Sequence, residues 1–84
     1  MKKIFIDTRE LEAPLPMQKV LLALRDLKEG EYILQRHRMF PKILIDRLEG
    51  SEMDSEVVER DGEFFIYIFF KKDKDKMREV IKDV

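Results

Sequence analysis

The chain has 84 residues, enough for one domain, and is 44% hydrophobic and 42% charged with a formal net charge of −1. That near-neutral balance excludes bulk electrostatic attraction to nucleic acid. The lack of cysteine excludes disulfides, thiolate catalysis and thiolate-ligated metal, and a single His excludes a multi-His metal site.

Lys2–Asp7 (KKIFID) is short, rich in β-branched and aromatic residues, and predicts a first strand. Met17, Val20, Leu21, Leu24 and Leu27 then recur at helical spacing and predict an α-helix. Gly30 stands where a helix end favours glycine. Glu31–His37 (EYILQRH) predicts a second strand. Phe40, Leu44 and Leu48 are four apart, with Pro41 suited to a first turn and Gly50 to an end, which predicts a second, shorter helix.

Ser55–Arg60 predicts a third strand and Glu63–Lys72 a fourth, joined by the hairpin signal Asp61-Gly62. Met77, Val80, Ile81 and Val84 predict a short C-terminal helix. The expected class is α+β: a two-layer sandwich of order β-α-β-α-β-β with a mixed four-stranded sheet and two helices on one face. Strand four is apolar on both sides, with Phe64, Ile66, Ile68 and Phe70 on one and Phe65, Tyr67 and Phe69 on the other. The terminal helix is expected to cover the second row; a homodimer contact through that outer face is the alternative.

Pro14 and Pro16 sit at the entrance of helix one, where missing N–H groups cost little. Ala13, before Pro14, is expected to be extended and to face the positive end of the helix dipole. A cysteine there would be held as thiolate; here the side chain is a methyl group.

Asp7-x-Arg9-x-Leu11-x-Ala13-Pro14-x-Pro16 resembles the signature of TusA/SirA-like proteins, Asp-x-Arg-Gly-Leu-x-Cys-Pro-x-Pro. The predicted element order is similar to that family's two-layer sandwich, and Leu27–Glu31 (LKEGE) resembles its turn before strand two. The resemblance implies one such domain over residues 1–84. Two positions depart: Glu10 replaces the glycine, and Ala13 replaces the cysteine that carries persulfide in sulfur-carrying members. His37, Pro41 and Leu44 look more like a cysteine-less relative group, a domain of unknown function.

Strands one and two are expected to be parallel, so both following loops lie on the sheet edge where ligands tend to bind. One loop carries Asp7, Arg9, Glu10, Ala13 and Pro14. The other carries Arg36, His37, Arg38 and, in helix two, Lys42. Arg36 to Lys42 holds three fixed positive charges and no acid, which suits an anion site at a helix start. The alternative is surface pairing with nearby Glu and Asp. His37 is of the one side-chain type that titrates near neutrality, but no partner for proton transfer is evident. Asp7 can pair with Arg9 or cap a turn.

Residues 46–63 carry eight acids and residues 71–78 five bases. Such runs guide partners or form solvated faces. The basic run lacks interleaved aromatics and signals no nucleic-acid partner.

The expected role is a small, non-enzymatic binding module that holds a small anion or docks to a partner protein, with no metal and no cofactor. An accessory role in sulfur transfer or redox chemistry is the alternative, with the nucleophile supplied by a partner. Ser51 and Ser55 lie beyond helix two without an evident base. No apolar run nears the ~20 residues of a membrane helix, and the apolar stretch of the basic start is too short for a signal peptide. A cytoplasmic location is expected, with no membrane partner. Dense Lys and Glu with no Asn is the composition associated with heat-stable proteins.

Overall fold

The computed structural model describes residues 1–82. In chain order the elements are β1 (Lys2–Asp7), α1 (Leu15–Asp26), β2 (Glu31–His37), α2 (Lys42–Leu48), β3 (Met53–Arg60), β4 (Glu63–Phe70), a 3-10 turn at Lys71–Asp73, and α3 (Lys74–Lys82). This is the expected β-α-β-α-β-β order with a terminal helix. The strand bounds differ at two ends. β3 begins two residues earlier than Ser55, at Met53, and β4 stops at Phe70 because Lys71 and Lys72 turn away into the 3-10 segment. Val84 of the predicted terminal stripe lies outside the described residues.

Among the described residues the strands form one mixed four-stranded sheet in the order β1-β2-β4-β3. β1 and β2 are parallel, and β4 is antiparallel to both β2 and β3. The two inner strands carry the apolar residues that are buried on both sides, while the edges carry Lys2, Lys3, Asp54 and Glu56, as solvent-facing edges favour. Asp61 and Gly62 both have positive φ, 53° and 79°, which closes the β3–β4 hairpin as a type I′ turn.

One sheet face is covered by α1 and α2. Val20, Leu27, Leu44 and Leu48 pack there on Ile33, Ile66 and Ile68. α3 covers the other face, where Met77 is 1% exposed against Tyr32, Tyr67 and Phe69. The terminal helix therefore takes up the second aromatic row. Part of the two charged runs meets in the same place: Lys74 Nζ lies 3.8 Å from Asp54 Oδ2 across β3 and α3. Asp73 is buried and accepts a hydrogen bond from the Gly30 N–H at 2.9 Å, tying the 3-10 turn to the start of β2. No helix among the described residues is long and apolar enough to cross a membrane.

Candidate functional site

Because β1 and β2 are parallel, Asp7 pairs in register with Arg36, and both strands end at one edge. Thr8 prolongs the pairing by one step, its N–H bonding to the Arg36 carbonyl at 2.9 Å. The residues of this edge then divide between the two faces of the sheet. Arg36 and His37 belong to β2 rather than to the loop after it, and adjacent strand residues point to opposite sides.

On the outer side, Asp7, Arg9, Arg36 and Glu63 form one closed ionic network. The Asp7 carboxylate accepts the Arg9 backbone N–H at 3.1 Å and a two-pronged contact from its guanidinium, at 3.0 Å and 2.7 Å. Arg9 also donates to Glu63 at 3.2 Å, and Arg36 Nε donates to Glu63 Oε1 at 3.0 Å. The hydrogen bonds from Arg9 hold the Asp7 carboxyl down at about 2. Arg36 and then Arg9 likewise lower the Glu63 carboxyl. The Arg36 guanidinium lies over the Phe65 ring, 5.5 Å from its centre, a cation–π distance. Two cations and two anions satisfy one another here. Sequence reasoning had not placed Glu63 in this group, since only the β2–β4 pairing brings it near.

On the helix side the edge is concave. Ala13 and Pro14 form a turn into α1, closed by the Leu15 N–H on the Glu12 carbonyl at 3.0 Å. The Ala13–Pro14 peptide is cis. Across from this turn, His37, Arg38 and Lys42 lead into α2. Between them lies a cavity of about 300 Å³ with largely apolar walls that include Leu11, Ala13, Met17, Ile43 and Leu44. Gln35 and His37 form its polar wall, and Arg38 and Lys42 also line it. Met39, Phe40 and Ile43 stand on the α2 side, 62%, 55% and 68% exposed. Phe40 rests edge-on against Phe64 at 6.0 Å.

Thr8 organises the polar wall. It is fully buried, and its hydroxyl donates to the Arg36 carbonyl at 3.2 Å. That leaves the oxygen to accept from Gln35 Nε2 at 3.0 Å. His37 Nδ1 lies 3.2 Å from the Thr8 carbonyl and 3.0 Å from its hydroxyl. Both contacts engage Nδ1 and hold the ring against Thr8. Thr8 and Gln35 were absent from the sequence-derived set. The alternation Ile33-x-Gln35-x-His37 was the available signal, since it puts Gln35 and His37 on the helix side.

The helix starts offer an anion little backbone support. Pro14, Pro16 and Pro41 have no N–H, Leu15 is bound to Glu12, and the Lys42 N–H is bound to the Phe40 carbonyl at 3.0 Å. The side-chain cations near the cavity have exposed partners. Arg38 lies 3.9 Å from Glu12, and Lys42 lies 2.9 Å from Asp46, which raises the Lys42 pKa. The eight predicted site residues thus divide: Asp7, Arg9 and Arg36 stand in the outer network, while Ala13, Pro14, His37, Arg38 and Lys42 border the cavity.

Among the described residues, no group of three or more His, Asp or Glu side chains is arranged to hold a metal ion. The chain matches no family model, and no curated protein matches it.

Proposed function

We propose that the protein is a small, non-enzymatic binding module that docks a partner through the cavity edge between Ala13–Met17 and His37–Leu44. The observation that carries this reading is the cavity itself, apolar inside and flanked by exposed Met39, Phe40 and Ile43. Exposed apolar groups around a concavity are the usual form of an interaction site. Arg38 and Lys42 add positive charge beside it, through pairs weak enough to exchange for a partner's acids. A free small anion is the less favoured ligand, because the helix starts supply few N–H groups.

The motif Asp7 to Pro16 and the element order support a TusA/SirA-like relationship of the cysteine-less kind, and a docking role is compatible with loss of the thiol. A cytoplasmic setting goes with this reading. Anilinonaphthalene sulfonate, an apolar ring system bearing an anion, tests the location. Its fluorescence is expected to rise saturably with the native chain, to be lost in Ala13→Trp, which fills the cavity, and to weaken in Arg38→Ala/Lys42→Ala. Ala13→Cys and Arg9→Ala are expected to leave it largely unchanged. Undiminished binding in Ala13→Trp would overturn the proposed site.

A further inference from the structure

We infer that the docked partner presents an acidic, apolar segment: a large apolar side chain in the cavity, with Asp or Glu residues on both sides of it for Arg38 and Lys42. This rests on the docking reading above and adds the chemistry of the occupant. The fixed charges that line the cavity are of one sign. They are Arg38 and Lys42, and among the described residues no Asp or Glu lines it. The cavity between β3 and α3 differs, since Asp54 and Glu56 line it together with Lys74, Arg78 and Lys82. The chain as a whole carries a net charge of −1, so the positive rim is a local feature.

Two cations beside one apolar hollow set the pattern. Arg38 follows β2 and Lys42 opens α2, and each has an acid of this chain near it, Glu12 at 3.9 Å and Asp46 at 2.9 Å. Neither acid lines the cavity, and both are exposed. Such surface pairs contribute little, so carboxylates arriving over the cavity exchange with them at small cost. The largely apolar walls disfavour a polar group inside, which would give up its water unpaired. A volume of about 300 Å³ is at the low end for ligand sites and suits a large apolar side chain. A fatty acid joins the same two chemistries, but it brings one carboxylate to two cations and leaves Met39, Phe40 and Ile43 in water. A protein segment brings several acids and covers that exposed rim.

The test titrates isotopically labelled protein with three acetylated, amidated peptides and follows the amide NMR shifts. The first has a central Leu-Leu pair flanked by Glu on each side. In the second, Lys replaces every Glu; in the third, Ala replaces both Leu. The first peptide is expected to shift residues 11–17 and 38–44 saturably. It should bind about ten-fold or more tightly than either twin, since one twin reverses the charges and the other removes the buried apolar group. Raised salt should narrow its advantage over the Lys peptide and leave its advantage over the Ala peptide. Arg38→Glu/Lys42→Glu changes two exposed side chains and is expected to reverse the charge preference. A variant that keeps the native preference would overturn the roles of Arg38 and Lys42. Equal binding of the Glu and Lys peptides at the cavity would overturn the acidic partner and leave the docking reading in place. Equal binding of the Leu and Ala peptides would overturn the apolar anchor. Decanoate is titrated in parallel, and tighter binding of decanoate than of the first peptide would overturn a protein partner in favour of a lipid. Binding of none of these would overturn the inference, and the anilinonaphthalene sulfonate experiment would then decide separately whether the docking reading falls with it.

Discussion

Arg36 and His37 are neighbours in β2 and face opposite sides of the sheet, Arg36 towards Glu63 and His37 towards Thr8. One peptide step thus separates a closed ionic network from a cavity wall. The network fixes the outer corner, and the cavity is left as the open feature of this edge.

Thr8 joins the ends of β1 and β2 through one hydroxyl and one carbonyl. Thr8→Val keeps the shape and removes the hydroxyl, leaving Gln35 Nε2 buried without its partner. A loss of about 1–3 kcal/mol is expected, read by urea denaturation. An unchanged midpoint would show that Thr8 is not the organiser of the wall.

The ionic network predicts acid behaviour with a definite sign. Asp7 is held at about 2 against an ordinary 3.8, so the stability it contributes is full above about 3.8 and is lost as pH falls through about 2. Glu63 is shifted in the same direction. Carboxyl carbon NMR should place the Asp7 midpoint near 2 in the native chain. Arg9→Ala should return it towards 3.8 and remove the share of the acid-induced loss of stability that Asp7 contributes.

Met77 anchors α3 on the outer face, and both Tyr residues of the chain lie in that cluster, with ring centres 6.1 Å apart. Met77→Ala is expected to cost about 2–5 kcal/mol. Near-ultraviolet circular dichroism, dominated here by Tyr32 and Tyr67, should weaken as α3 loosens. Retention of the full signal and stability would mean that α3 is not needed to cover the face.

Asp73 holds the Gly30 N–H from the other side of the sheet. Asp73→Ala should destabilise by about 1–3 kcal/mol and speed amide exchange at Gly30. Asp73→Asn keeps an acceptor and should lose less.

The elements were legible because the periodicities were clean. The stripe from Met17 to Leu27, the alternation in residues 63–70 and the Asp61-Gly62 turn each specify local structure without reference to the rest. Strand order and the position of α3 were legible only as expectations, since they depend on which apolar faces remain to be covered. The edge was half legible. Asp7 and Arg9 lie close in the chain and were readable as a pair, but Glu63 reaches them from 54 residues away. The run Arg36-His37-Arg38 read as one basic cluster because all three were grouped with the loop by their charge, although the predicted strand already reached His37. The pleat of that strand sends Arg36 and His37 apart, and the apolar cavity replaces a basic loop as the main feature.

The most direct test of the account maps where a ligand binds. Isotopically labelled protein would be titrated with anilinonaphthalene sulfonate and with inorganic sulfate, at two salt concentrations, and followed by two-dimensional amide NMR. The account predicts saturable shifts from the naphthalene probe in residues 11–17 and 35–44 at both salt concentrations. It also predicts weaker, salt-sensitive shifts from sulfate near Arg38 and Lys42. Saturable shifts centred on Arg9, Arg36 and Glu63, or no saturable shifts around the cavity, would contradict it.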